Sequence, residues 1–253
     1  MKKAIDTKKL SFFSFLSFFS FFSPSLFFVA IMITVEGKLS EAVCANNVLE
    51  VKRILEQNVD VNVNFGEGDG PEWPVLYTAC DQNHVEIVKL LLAHKDVNVN
   101  IQKNAIFSFS RVEEYTHTPL YRACHHGHVK ILKILLEDPR VNTIIPGRRS
   151  MTPLCEACAQ GQYDVVELLI ASGKDLNIGA IAEHWFFRGY DKVRAIEIAR
   201  YHHDIVSLLQ RFENDQTKTR HEIRLKLGQH ANMAAELFAT AVFLCDQFVI
   251  IDI

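Results

Sequence analysis

The chain has 253 residues, of which 49% are hydrophobic and 23% charged, and its formal net charge at pH 7 is −3. This size and apolar content suit one repeat domain with extensions at its ends. Because the composition gives no basic surface, we expect no nucleic-acid partner.

Residues 1–37 form a lysine-led hydrophobic segment. Four lysines among the first nine residues precede an uncharged, Phe- and Ser-rich run over residues 10–35. This run is long enough to span a bilayer as a helix, which would make the protein a membrane-anchored scaffold. It also resembles a signal peptide with a poor cleavage motif, or an extension upstream of a translation start at Met32. The sequence leaves these three alternatives open.

Residues 38–212 repeat a pattern of two short helices. The pattern is clearest in TPLYRA at residues 118–123, which returns 34 residues later as TPLCEA at residues 152–157. Units that match this template are centred on Leu39, Leu76, Leu120, Leu154 and Ile196. Since one such unit cannot bury its own apolar face, the five units should stack into an all-α solenoid.

The third unit shows how the sequence defines a helix pair. Thr118 is placed to cap a helix and Pro119 to occupy its first turn, where the missing amide hydrogen costs nothing. Gly127 permits the left-handed turn into the second helix. That second helix is predicted from the apolar run between Val129 and Leu136.

These residues resemble the ankyrin-repeat family, whose signature is T-P-L-H-x-A, then G-H, an I-V-x-x-L-L helix and a G-x-D-x-N turn. The resemblance extends from Leu39 to about Phe212. It departs from the signature at Tyr121, where the family has histidine, and at Asn46 and Asn83, where it has glycine. The resemblance implies a non-catalytic protein that binds another protein through a concave groove.

The outward positions of each first helix are the predicted groove. In this chain they carry Thr78, Asp81, Gln82, Arg122, His125, His126, Glu156 and Gln160. We predict that these side chains contact the protein partner, whose identity the sequence does not give.

Two units carry inserts, over residues 101–117 and 181–191. The inserts contain aromatic residues and arginines, which are enriched in binding hot spots. We predict partner contacts for Phe107, Arg111, Trp185, Phe187 and Arg188. The alternative is that these side chains fold back onto the repeats.

The cysteines predict buried thiols and a reducing compartment. Cys80, Cys124 and Cys158 occupy one position in successive units, and helices packed about 10 Å apart are too distant for disulfides. Cys155 and Cys158 form a C-x-x-C, which admits a metal or redox site as a lower alternative. We expect no metal, cofactor or enzymatic activity, because no second C-x-x-C or strand-to-helix context accompanies this pair.

Residues 213–253 are predicted to be a linker followed by a helix. Residues 213–218 are polar, and helical spacing begins after Arg220. The helix should either cap the last unit or dock on a partner protein. For the repeats we expect the cytosol or the cytoplasmic face of a membrane.

Overall fold

The computed structural model of the protein describes residues 34–58, 60–66, 73–105, 115–186 and 189–228. The chain divides into two compact units between Lys103 and Asn104. We call these two compact parts of the chain unit 1 and unit 2. Each contains several of the repeats described above.

Unit 1 consists of two helix pairs. The helices are α1 (Val35–Cys44), α2 (Val48–Gln57), α3 (Val75–Asp81) and α4 (Val85–Leu92). The first helices α1 and α3 contact each other, as do the second helices α2 and α4, so the unit has two helical layers. Leu39, Val51, Leu76 and Ile87 are almost fully buried between them.

The first repeat begins slightly before the predicted boundary at residue 38. The hydroxyl oxygen of Thr34 accepts a hydrogen bond from the Gly37 amide at 3.0 Å, and α1 starts at Val35. A threonine cap satisfies an amide that has no partner within the helix, which fixes the start at this position.

Asn46 and Asn83 make the turns that the family sequence makes with glycine. Their φ angles are 52° and 62°, in the left-handed region. Asparagine tolerates this region better than other residues with a side chain, because its short amide can bond locally. The helix pairs of unit 1 therefore make their left-handed turns without glycine.

Unit 2 contains three helix pairs and a final helix. The first helices are α5 (Pro119–His126), α7 (Pro153–Ala159) and α9 (Ala195–Ile198). The second helices are α6 (Val129–Glu137), α8 (Tyr163–Ala171) and α10 (His203–Asn214). Helix α7 contacts both α5 and α9, and α8 contacts both α6 and α10. The stacking predicted from the repeats is thus present in unit 2.

The final helix, α11 (Gln216–Lys226), covers the second layer of unit 2. Its Arg220 and Arg224 side chains donate to the carbonyl oxygens of Ile170 and Ala171 at 3.1 and 2.7 Å. Both carbonyls lie at the C-terminal end of α8, where helix carbonyls lack the usual helical amide partners. The Ile170 carbonyl also accepts from the Gly173 amide at 3.4 Å. Lys226 contacts the buried carboxylate of Glu167 at 2.7 Å. Helix α11 therefore packs on α8 and α10, and whether the C-terminal segment caps the stack or docks on a partner stays a prediction.

The polar stretch 213–218 is not an extended linker. Helix α10 ends at Asn214 and α11 starts at Gln216, so Asp215 alone joins them. The Asp215 carboxylate accepts from the Lys218 amide at 2.9 Å and caps α11. Polar residues here reflect capping of a new helix rather than an open linker. Residues 229–253 lie outside the described residues.

Both inserts contain short β-strands, which the predicted all-α fold did not include. Strands β1 (Lys103–Ala105) and β2 (Tyr115–His117) stand at the two ends of the first insert. Strands β3 (Ala182–Phe186) and β4 (Gly189–Val193) form an antiparallel hairpin in the second. In this hairpin Ala182 is opposite Val193 and Trp185 is opposite Tyr190.

Candidate functional site

The first helices of unit 2 are held in place by capping and turn residues. The hydroxyl of Thr118 accepts from the Tyr121 amide at 3.1 Å, and the hydroxyl of Thr152 accepts from the Cys155 amide at 3.3 Å. Gly127 ends α5 with a φ of 70°. The predicted cap at Thr118 and the predicted turn at Gly127 are confirmed.

Glu156 is the centre of a polar cluster between α5 and α7. Only 5% of the residue is exposed. Its carboxylate accepts hydrogen bonds from the Tyr121 hydroxyl at 2.5 Å, from His125 Nδ1 at 2.5 Å and from Gln160 Nε2 at 3.0 Å. Because an ionised carboxylate only accepts, Nδ1 of His125 must carry the proton.

These donors keep Glu156 ionised. Burial by itself raises the pKa of the carboxyl, but the hydrogen bonds from His125, Tyr121 and Gln160 together outweigh burial and lower the pKa to about 2. A buried carboxylate that accepts several hydrogen bonds favours its charged form. Glu156 therefore ties the two helices together and is not available to a partner.

The Tyr121 ring lies in a tight slot. The ring of His117 stacks on it, with centroids 4.8 Å apart and planes inclined by 17°. On Gly147, an added Cβ would lie 2.6 Å from a ring carbon of Tyr121, so only glycine fits there. Burial raises the pKa of Tyr121, as does the charge of Glu156, and the hydroxyl remains a donor. Burial also lowers the pKa of His117, to about 4.

Arg122 and three histidines form a row at the end of α5. The ring of His126 meets His125 edge-on at 4.7 Å and stacks on His128 at 5.3 Å. Arg122 donates from Nη2 to His126 Nε2 at 2.9 Å. Since a guanidinium cannot accept, this contact requires an unprotonated Nε2 on His126. We call Arg122, His125, His126 and Gln160 the α5–α7 face.

A loop carrying two arginines lies beside this face. Arg148–Ser150 form a short helical turn, in which Arg149 and Ser150 have φ angles of 56° and 59°. The turn contacts both β2 and β3. Gly147, which precedes it, packs against Tyr121, the neighbour of Arg122 along the chain. The positive charges of Arg122 and Arg148 both act to lower the pKa of Tyr121, against the larger effect of burial.

The structure separates the predicted binding residues into distinct groups. In unit 1, Thr78 is buried with 8% exposure, Asp81 is half-buried and Gln82 is exposed. In unit 2, Arg122 and His125 are half-buried, His126 and Gln160 are exposed, and Glu156 is buried. Thr78 and Glu156 were predicted as outward groove positions, but both are buried in the structure. Partner contacts by the remaining groove residues stay predictions.

The insert residues are described only in part. Phe107, Arg111, Phe187 and Arg188 lie outside the described residues. Trp185 belongs to β3, where its backbone is opposite Tyr190. Partner contacts by these five residues stay predictions.

Three residues of this polar cluster and its surroundings were not among the predicted site residues. Tyr121 was recorded only as a departure from the family histidine, yet its hydroxyl reaches a carboxyl one repeat away. The sequence did offer one signal for this contact, because the matching helix of the next repeat contains a single acidic residue, Glu156. His117 and Gly147 carried none, because their roles depend on how the loops pack around the ring.

The two cysteines of the C-x-x-C lie in the interior of the repeats. Cys155 and Cys158 are free and buried, and burial raises the pKa of both thiols. Reactive cysteines instead need an exposed, stabilised thiolate. Within the described part of the chain, no group of three or more His, Cys, Asp or Glu residues is arranged to hold a metal ion.

The described helices include none with the length and apolarity needed to cross a bilayer. Of the hydrophobic run at residues 10–35, all but the last two residues lie outside the described part.

The repeat geometry agrees with a comparison against protein families. A model of ankyrin repeats in three copies matches residues 39–144 and 108–180. Together these matches span residues 39–180, more than half of the chain. The chain belongs to the ankyrin-repeat family. No curated protein matches it significantly. Its fold class is that of an all-α ankyrin-repeat solenoid with a C-terminal helical cap, and ankyrin repeats are generally protein-interaction modules.

Proposed function

We propose that this ankyrin-repeat protein is a non-catalytic scaffold or adaptor that binds a protein partner through the α5–α7 face of unit 2. The observation that carries the proposal is the pairing of Arg122 with the exposed His126 at 2.9 Å. Polar side chains held in one geometry on a rigid helix lose little entropy when a partner binds. Arginine is also a residue type enriched in binding hot spots.

The buried cluster beneath the face supports this role. Glu156 accepts from residues of both helices and so fixes α5 relative to α7. Fully satisfied buried polar networks make a structure rigid. Two residues of the face, His125 and Gln160, are donors of this cluster, so a partner would meet them in fixed positions.

Photo-crosslinking tests where the partner binds. A benzophenone amino acid would replace His126 on the face, or Lys133, an exposed residue of α6, as the matched control. Cells that express each variant would be irradiated, and crosslinked proteins would be identified by mass spectrometry. We expect a defined protein to crosslink from position 126 and not from position 133.

Reversing the charge of Arg122 is the second part of the crosslinking experiment. Arg122→Glu should abolish the crosslink from position 126, while the melting temperature stays nearly unchanged because the guanidinium is only half-buried. Crosslinks from position 133 alone, or crosslinks from position 126 that survive the charge reversal, would contradict the proposed face.

A further inference from the structure

We infer that this protein dimerises by exchanging helix α11, so that α11 of each copy lies on α8 of the other. The inference goes beyond the proposed function, because it concerns α8, α10 and α11 and leaves the α5–α7 face unchanged. Three observations carry it: the polar attachment of α11, the site that it occupies, and the single residue that joins it to α10.

Helix α11 is attached largely by charged side chains. Arg220 and Arg224 donate to carbonyl oxygens at the end of α8. Lys226 donates to both carboxylate oxygens of Glu167, at 2.7 and 2.8 Å. The helix has two buried residues, whereas α10 has four, all of them hydrophobic. Because water can replace polar partners but not apolar packing, α11 separates from the repeats at a lower cost than α10 would.

The site beneath α11 requires an occupant with the same charged groups. Glu167 is only 4% exposed, and Lys226 supplies the cation that faces its carboxylate. A buried carboxylate that loses its cation is strongly destabilising. The Ala171 carbonyl lies at the end of α8 and accepts from Arg224 at 2.7 Å. A second copy offers the same lysine and arginines at the same spacing, so its α11 satisfies the whole site.

The joint between α10 and α11 is a single residue. Asp215 is extended, with φ of −150° and ψ of 94°, between two helices that are usually joined by about two to eight residues. Its carboxylate accepts from the Lys218 amide at 2.9 Å and caps α11. Residues 213–217 contain neither proline nor glycine. Helical geometry at Asp215 would therefore merge α10 and α11 into one continuous helix.

A continuous helix would carry α11 away from its own α8 and present it to α8 of a second copy. Residues more than about two turns apart in one straight helix do not touch, so the packing of α11 on α10 would then form between the two copies. The exchanged dimer keeps the contacts of α11 and removes both one-residue joints. Exchange of an identical element is a low-cost route to dimers, and short hinges promote it. A second copy of this chain is therefore the partner that the site fits best.

Size-exclusion chromatography with light scattering tests whether the exchange occurs. We expect the mass of the full chain to rise with concentration from the monomer value of 28.9 kDa to that of a dimer. Asp215→Ala removes the cap and favours helical geometry at the joint, so it should lower the dimer dissociation constant about fivefold or more. The matched control, Asp204→Ala, removes an exposed carboxylate from the first turn of α10 and should change this constant by less than about twofold. A monomer at every concentration, or association that Asp215→Ala leaves unchanged, would overturn the inference.

Complementary charge reversals identify α11 as the exchanged element. Glu167→Lys and Lys226→Glu each place like charges together in the monomer and in the homodimer, and only a heterodimer of the two variants restores opposite pairs. After the two chains are refolded together from urea, native mass spectrometry should find the heterodimer enriched about tenfold or more over statistical mixing. Glu86→Lys mixed with Lys89→Glu is the control, because that pair lies within α4 and should mix statistically. Statistical mixing of the Glu167 and Lys226 variants would place the dimer contact elsewhere and refute the exchange.

Discussion

Replacing Glu156 by glutamine should remove a defined part of the acid sensitivity of the fold. The folded carboxyl has a pKa of about 2 against an ordinary value of 4.5. Because the pKa is lowered by folding, the unfolded chain binds the proton more tightly, and stability rises with pH between these values. The difference corresponds to about 3 kcal/mol, fully present at neutral pH and lost as pH falls from about 5 towards about 2.

Glutamine keeps the shape of the side chain and one acceptor oxygen but has no proton to release. We therefore expect Glu156→Gln to be less stable than the wild type at neutral pH by about 3 kcal/mol, with the gap closing in acid. Urea unfolding followed by circular dichroism, repeated from about pH 3 to about pH 7, measures the free energy of unfolding of both proteins as a function of pH.

The control for this experiment is Glu222→Gln. Glu222 is on the surface of α11, where its carboxylate lies 3.5 Å from Arg211. An exposed ion pair contributes little, so this variant should follow the wild-type curve to within about 0.5 kcal/mol. If the free energies of unfolding of the wild type and Glu156→Gln differ by the same amount at every pH, the lowered pKa of Glu156 does not contribute to the pH dependence of stability, and the prediction is refuted.

Two further predictions concern packing in the repeats. Leu135→Ala should lower the free energy of unfolding by about 2 to 5 kcal/mol because it opens a cavity in a fully buried site, whereas Leu49→Ala, at 81% exposure, should have little effect in the same denaturant assay. Gly147→Ala should destabilise unit 2 by about 1 to 3 kcal/mol, since its Cβ would meet the Tyr121 ring at 2.6 Å, while Gly179→Ala, with no atom within 4 Å, should melt like the wild type.

Much of the fold followed from local signals in the sequence. Thr118 predicted a helix start and is a hydroxyl cap in the structure, as is Thr152 at the matching position of the next repeat. Apolar residues at helical spacing predicted the second helices, and their buried members, such as Leu132 and Leu169, confirm it. These signals are readable because capping, turn formation and amphipathicity depend on residues within a few positions of one another.

The candidate site was predicted less completely. Arg122 and His126 were placed on the surface by their position in the repeat, and they are half-buried and exposed there. Glu156 was assigned to the same surface, although three donors from the surrounding structure bury it. Repeat position tells which way a side chain leaves the helix, but not whether neighbours close over it.

The amino-acid sequence by itself determined the repeat, the helix pairs and the family of this protein, because each repeat encodes its own caps, turns and apolar stripe. Tertiary structure alone decided that His117 and Gly147 pack against the Tyr121 ring and that Glu156 holds two helices together. The contacts of Gly147 and Glu156 with α5 join residues about 26 to 35 positions apart in the chain. Their formation depends on how helices and loops stack, which no local pattern specifies.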